Sequence, residues 1–195
     1  MTLSGRVAAE LEQIPPSAAI SLQVGVDYYL DAIRAVLDIY AAKRDVDVIY
    51  ITATISYQAI SDILKALEID TSKVHFIDCI SHTMMGTSIG GTQVLFVESP
   101  TMLENIMLKT EYLLRKSKAK EKLVLLDSVN SLAIHNSNYV LSEFLHIFVS
   151  SLRSREVNTL IVTIIEHTTP ELNNIVNLVS DSVIRVKEEE RGGTA

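Results

Sequence analysis

The chain of 195 residues holds a single cysteine, Cys79, so no internal disulfide can form and the sequence suits a reducing cytoplasm. Long apolar runs are missing as well: none approaches the roughly 20 residues that a bilayer-crossing helix needs. The stretch Met1 to Ile14 has no basic segment followed by an apolar one and carries Glu10 and Glu12, which argues against a secretory signal. Net positive charge is absent too. The formal charge of −7 gives no general electrostatic reason to bind nucleic acid or anionic lipid, and the chain has no tryptophan. Its one basic concentration, Lys109, Arg115, Lys116, Lys118, Lys120 and Lys122, reads as a solvated helix end and loop. The five histidines, His75, His82, His135, His146 and His167, lack the close pair spacing of a metal-binding helix. Neither a repeat nor a low-complexity segment is present. What remains is an ordinary globular composition, 48% hydrophobic and 21% charged, long enough for one domain with a full core. The expected organisation is a single domain over residues 1–187, with 188–195 as a flexible tail. The expected setting is cytoplasmic, with no membrane, no metal and no cofactor.

Short, β-branched apolar segments alternate with longer amphipathic ones. Strands are predicted at Ala19–Val24, Val46–Thr52, Val74–Asp78, Gln93–Val97, Leu123–Asp127, Thr159–Ile165 and Ser182–Val186. Helices are predicted at Leu3–Gln13, Tyr28–Lys43, Tyr57–Leu67, Thr101–Ser117, Tyr139–Arg155 and Pro170–Leu178. Ser99 before Pro100, and Thr169 before Pro170, are the cap candidates. Leu30, Ile33, Val36, Leu37 and Tyr40 form one apolar helical stripe; Phe144, Ile147, Phe148 and Leu152 form another, read as core. This alternation predicts an α/β fold of three αβα layers around a mostly parallel sheet with right-handed crossovers. In such sheets a ligand site lies beyond the carboxyl ends of the strands.

The residues after each strand therefore carry the question of function. After the first strand comes Gly25-Val26-Asp27-Tyr28-Tyr29-Leu30-Asp31-Ala32. A phosphate loop needs glycines that let backbone N–H groups wrap the phosphates, a lysine for charge and a hydroxyl for magnesium. Here the lysine position holds Asp31, the hydroxyl position holds Ala32, and Tyr28 stands where a second glycine is needed. After the second strand, Thr52-Ala53-Thr54-Ile55-Ser56 offers no carboxylate to activate water. After the fifth, Asp127-Ser128 is suited to hold a hydrated magnesium ion, although without a lysine partner a locally satisfied carboxylate is the expectation. After the sixth, Glu166-His167 reads as a surface turn ahead of a capped helix, with acid–base work as the other reading. Cys79 reads as a small buried thiol. The segment Met84 to Thr92 is loop-like, and its Met84 and Met85 are candidates for an adaptable contact surface.

Taken in order, several segments resemble the archaeal KaiC-like or Rad55-like branch of the RecA-type ATPases, from about Leu11 to Val186. "VIYITATIS" resembles that family's second strand and "VHFIDCIS" its third. "VESPTMLENIMLKTEYLLRK" resembles its Ser-Pro-x-x-Leu helix. "KLVLLDSVNSLAIHNS" resembles its Walker B strand, with Asp127-Ser128 at the motif, and "LIVTIIEHTTPELNNIVNLVSDSVIRV" its closing strand, helix and strand. The resemblance implies a RecA-like, P-loop NTPase-type fold whose Walker A lysine and hydroxyl fall on Asp31 and Ala32, and whose catalytic glutamate pair falls on Thr54 and Ile55. The expected function is that of a catalytically inactive relative, with no catalytic residue and no cofactor. It would act as a regulatory or scaffolding interaction subunit, as a homo-oligomer or beside a homologous active ATPase. Tyr28, Tyr29, Met84 and Met85 are the interface candidates. The alternative is a nucleotide- or small-ligand-binding sensor, or weak ATPase, that uses Gly25, Thr52, Thr54, Asp127, Ser128, Glu166 and His167 at the strand ends.

Overall fold

The computed structural model describes residues 2–81 and 93–187. The Met84–Thr92 segment, with the interface candidates Met84 and Met85, lies outside the described residues, as do His82 and the expected tail 188–195.

Seven strands form one sheet: β1 Ala19–Val24, β2 Asp47–Thr52, β3 Val74–Asp78, β4 Val94–Phe96, β5 Lys122–Asp127, β6 Asn158–Ile164 and β7 Ser182–Val186. Their order is β4-β3-β2-β5-β6-β1-β7, and every pairing is parallel. Each predicted strand is present to within a residue or two, because β-branched runs buried on both faces suit few other structures. β1 sits between β6 and β7 and is buried at all six positions.

Helices cover both faces. On one side lie α1 (Leu3–Leu11), α2 (Tyr29–Arg34) and α3 (Tyr57–Ala66). The α2 helix runs on through a π-helical stretch, Ala35–Ala41, and a last turn, Ala42–Arg44, and stops at Asp45 in the left-handed conformation (φ 62°). Val7, Leu11, Ile33, Val36, Leu37, Ile60 and Leu64 pack there against Ile20, Leu22, Val48, Tyr50 and Leu125. On the other side lie α4 (Leu103–Lys116), α5 (Val129–His135), α6 (Asn138–Arg153) and α7 (Pro170–Val179). Ile106, Leu132, Leu145, Phe148 and Val176 pack there against Ile49, Ile51, Val124, Leu126 and Ile161. Alternate residues of each strand thus serve opposite faces.

Side-chain caps fix most helix starts. Ser56 accepts from the Ala59 N–H, Ser137 from Val140, and Thr169 from Leu172 ahead of Pro170. Four expectations need correction. The Ser99 cap is not made: its hydroxyl pairs with Thr101, and the helix begins only at Leu103. Leu30 is 42% exposed rather than part of the buried stripe, because it lies on the first turn beyond the strand ends. Ile147 is 51% exposed, since α6 turns only the Phe144, Phe148 and Leu152 side of itself to the sheet. Helix α5 was not anticipated; its seven residues are too few to show a period.

The amino end of β1 is pinned by two distant side chains. The Ala18 N–H donates to Asn158 Oδ1 at 3.1 Å, and the Ala19 N–H to Asp181 Oδ2 at 2.8 Å, which Arg153 also contacts at 2.8 Å. A structural role for β1 predicts that Leu22→Ala, at a fully buried position, destabilises the fold by about 3 kcal/mol, within the usual large-to-small range. The midpoint of urea denaturation measures it, and a change within experimental error would contradict the central placement of β1.

Candidate functional site

The carboxyl ends of β1, β2, β5 and β6 frame a crevice, and tyrosine fills its centre. Asp127 closes β5 and is fully buried. Its Oδ2 accepts a hydrogen bond from the Tyr50 hydroxyl at 2.5 Å and another from the Tyr29 hydroxyl. The two phenol oxygens lie 3.1 Å apart. Tyr50 reaches the site from β2, which pairs directly with β5, and its ring stacks on Phe76 at 5.4 Å between centroids. Tyr29 reaches it from the first turn of α2. Burial pushes the Asp127 carboxyl above its ordinary range, and the two phenol donors only partly offset this. Burial, reinforced by the Asp127 charge, likewise raises both phenols. The second carboxylate oxygen, Oδ1, has no partner among the described residues. The expectation of a locally satisfied carboxylate needs correction: Oδ2 is held by two hydroxyls from distant elements, because β2 and the first turn of α2 meet the end of β5 here, and Oδ1 is left unpaired among the described residues.

The turn after β1 is occupied from within. Gly25 is in ordinary extended conformation (φ −67°, ψ 143°), so its lack of a side chain matters for space. A Cβ there would come within 3.2 Å of Tyr28 Cδ2 and 3.4 Å of Glu166 Oε1. The Gly25 N–H donates to the Val186 carbonyl, and the Val26 N–H to Glu166 Oε2 at 3.0 Å. A carboxylate from the far end of β6 thus takes a backbone donor of this turn. Asp31 faces elsewhere: its Oδ1 accepts from Ser4 Oγ of α1 at 3.0 Å. Of the interface candidates, Tyr28 is half-buried and Tyr29 is turned inward onto Asp127.

The remaining candidates divide. Thr52 is buried and its hydroxyl donates to the Ile55 carbonyl. Thr54 is exposed, accepts from the Ser128 N–H at 3.0 Å, and meets the Ser128 and Ser131 hydroxyls at 3.0 and 2.9 Å. The Asp127–Ser128 peptide bond is cis. Beside this hydroxyl chain lies a cavity of about 290 Å³ lined by Thr54, Cys79, Ile80, Ser131, Ile134 and His135. Cys79 is buried, and burial next to Asp78 pushes its thiol up, which keeps it protonated and inert. Glu166 and His167 share a short 3₁₀ turn and are both exposed. Among the described residues, no group of three or more histidine, cysteine, aspartate or glutamate side chains is placed to hold a metal.

Three contributors escape sequence reasoning. Tyr50 reads there as one more strand residue. Ser131 and Asn130 belong to the unanticipated α5, and Asn130 ties that helix to β6 by accepting from the Ile164 N–H and donating to the His167 carbonyl. A tyrosine among the aliphatic residues Val48, Ile49 and Ile51 of β2, one strand away from the aspartate, is the signal available for Tyr50.

Two results are expected from this cluster. Below about pH 4, the ordinary carboxylate range, Asp127 is protonated both folded and unfolded and exacts no penalty. Above it the unfolded chain ionises first, so the wild-type fold loses stability until pH passes the raised native value. Asp127→Asn removes that loss: its stability relative to wild type should improve as pH rises above about 4 in urea titrations, and a pH-independent difference would contradict this reading. Tyr29→Phe should cost about 1–3 kcal/mol at neutral pH, the usual toll of an unmet buried partner, and clearly less in the Asp127→Asn background. Equal costs in both backgrounds would show that the hydroxyl does not act through Asp127.

Comparison with known proteins places the chain in a family. The family model described as the ATPase KaiC matches residues 39–195. Among solved structures, the chain is similar to the KaiC-like protein PH0186 from the hyperthermophilic archaeon Pyrococcus horikoshii OT3. The TM-score is 0.62 at 14% sequence identity, over 91% of this chain and 76% of that one, which shows a shared RecA-type fold. No curated protein matches the chain. With four-fifths of its length covered by the family model, the chain belongs to the KaiC ATPase family.

Proposed function

We propose that this protein is a KaiC-family member without ATPase activity that serves as a regulatory or scaffolding subunit. The observation that carries the reading is the Tyr29–Asp127–Tyr50 cluster: the one aspartate placed like the family's magnesium-associated residue spends an oxygen on two phenols. A magnesium-bound triphosphate does not fit these residues. Tyr29 stands between the first turn and Asp127, Glu166 already holds the Val26 N–H, and the lysine and hydroxyl positions carry Asp31 and Ala32. Asp27 and Glu166 add negative charge around the turn where phosphates would need positive charge. The family match also begins at residue 39, after this turn.

The scaffolding role is supported by exposed apolar surface beside the filled crevice. Val26 is 47% exposed and Leu30, one helical turn on, is 42% exposed; Ile165 lies next to Glu166, which holds the Val26 N–H. This rim, with half-buried Tyr28, fits the flank of another KaiC-family domain, either a second copy of this chain or an active relative. No helix among the described residues is long and apolar enough to cross a membrane.

A second reading has one observation in its favour. The cavity beside Thr54, Ser128 and Ser131 presents hydroxyls at the strand ends, where a sensor would take a small ligand.

Purified protein should release no phosphate from Mg-ATP above background, because loss of the charge-stabilising and water-positioning groups removes orders of magnitude in rate. Magnesium-dependent turnover that vanishes in Asp127→Ala would overturn the inactive assignment. Light scattering over a concentration series, with and without an active KaiC-family ATPase, should show association that weakens in Val26→Asp/Leu30→Asp. A monomer that binds neither itself nor the ATPase would leave the sensor reading ahead.

A further inference from the structure

The sheet ends at β7, which pairs with β1 on one side and with nothing among the described residues on the other. In a parallel pair, alternate residues of a strand turn their N–H and C=O groups to one neighbour, and the residues between them turn theirs away. The Gly25 N–H donates to the Val186 carbonyl, and the register pairs Ile20 with Ser182, Leu22 with Ile184 and Val24 with Val186. Ser182, Ile184 and Val186 therefore bond to β1, and the N–H and C=O groups of Val183 and Arg185 point outward. The side chains alternate as well. Ile184 and Val186 are buried on the α1 side of the sheet, whereas Val183 is 42% exposed on the other side and Arg185 is exposed beside it.

Proteins blunt such edges with a very short strand, a proline, a bulge or a charge standing over the edge. The strand at the other end of the sheet, β4, has only three residues. β7 has five, holds no proline and keeps an unbroken register with β1. Its one charged residue is Arg185, and that side chain is turned back toward β1. Arg185 Nε donates to Gln23 Oε1 at 3.0 Å, and Gln23 Nε2 donates to Asn173 Oδ1 of α7 at 3.0 Å. Gln23 is 9% exposed, so this anchor lies within the fold. It holds the charge of the strand over the sheet and not in front of the outward backbone groups.

We propose that β7 is a self-association edge, on which a second copy of this chain adds its own β7 antiparallel and extends the sheet across a two-fold axis. The occupant is a second copy because the strand complements itself in one register. A two-fold axis beside Ile184 sets Val183 opposite Arg185 of the second copy, and Arg185 opposite its Val183. Each pair then exchanges both outward hydrogen bonds, and no like charges meet. The adjacent registers fail. Centring on Arg185 brings guanidinium against guanidinium. Centring on Val183 requires the Asp181 N–H, which already donates to the Ala19 carbonyl at 2.7 Å. The contact is small, so the dimer dissociates on dilution. It is separate from the Val26 and Leu30 rim and stands whether or not the protein lacks ATPase activity.

Backbone amide exchange of the full chain, followed by NMR over a concentration series beside light scattering, tests this edge. The expected result is a dimer at high concentration. The Val183 and Arg185 amides should exchange freely in dilute sample and slow as the dimer forms. Val183→Pro removes an outward N–H and leaves the bonds to β1 in place, as edge strands allow. It should weaken self-association by about tenfold or more, since each copy loses a donor. Val183→Lys keeps the backbone groups but sets like charges opposite each other, so it should weaken the dimer too, and it decides the matter if the proline variant fails to fold. Val26→Asp/Leu30→Asp should leave the protection of these two amides intact. A chain monomeric at every concentration, protection of the two amides that does not depend on concentration, a dimer in which they exchange freely, or unchanged association in Val183→Lys would overturn the proposal.

Discussion

The contact between Asp127 and the hydroxyls of Tyr29 and Tyr50 governs the functional end of this fold. A carboxylate with no exposed surface at the end of a central strand is costly unless it is bonded, neutralised or both. Two phenols supply hydrogen bonds, and burial raises the carboxyl toward its neutral form. The cluster joins three elements, α2, β2 and β5, at the place where strand ends of an α/β sheet otherwise open a cleft. Once Tyr29 is committed there, the turn after β1 must run close beneath Glu166. Gly25 eases that approach, because a Cβ there would sit tightly against Tyr28 Cδ2 at 3.2 Å and in contact with Glu166 Oε1 at 3.4 Å.

Charge placement follows the same logic. Glu166 holds the Val26 N–H, where an anion would otherwise find a donor, and Asp31 turns away to Ser4 on α1. Asp78, at the end of β3, is as buried as Asp127 but is bonded by the N–H groups of Tyr57, Ile80 and Ser81 and by the Ser81 hydroxyl. The contrast separates two kinds of strand-end aspartate. Asp78 is held mainly by backbone donors, two from the residues just after it and one from the first turn of α3, and both of its oxygens are met. Asp127 relies on side chains from two other elements and keeps one oxygen unmatched.

The sheet was legible in the sequence because seven apolar, β-branched runs leave little alternative when both faces are covered. The family resemblance was legible from the order of short segments such as "VHFIDCIS" and "KLVLLDSVNSLAIHNS". The site was legible only in part. Asp127 and the substituted turn stand out in the sequence, but the partners of Asp127 come from Tyr50, 77 positions earlier, and from Tyr29, 98 positions earlier. No local pattern encodes such pairings. Glu166 reads as a surface residue because its bond to Val26 spans 140 positions. Helix α5 is too short to show a period, and the π-helical stretch of α2 keeps the same apolar residues as an ordinary helix. Leu30 and Ile147 illustrate the opposite error: helical spacing marks a stripe, but only packing decides how wide it is.

The position of β1 also sets a timetable for folding. Its neighbours among the described residues are β6 and β7, so Ala19 meets Thr159 and Ile20 meets Ser182. During synthesis the first strand emerges long before either partner exists, and it waits as an unpaired apolar segment while about 140 further residues are made. Closing a loop of that length before any contact rewards it makes this step slow compared with the local pairing of β2 and β3. The ribosome-bound chain therefore carries β1 as an unpaired apolar strand until β6 and β7 are made.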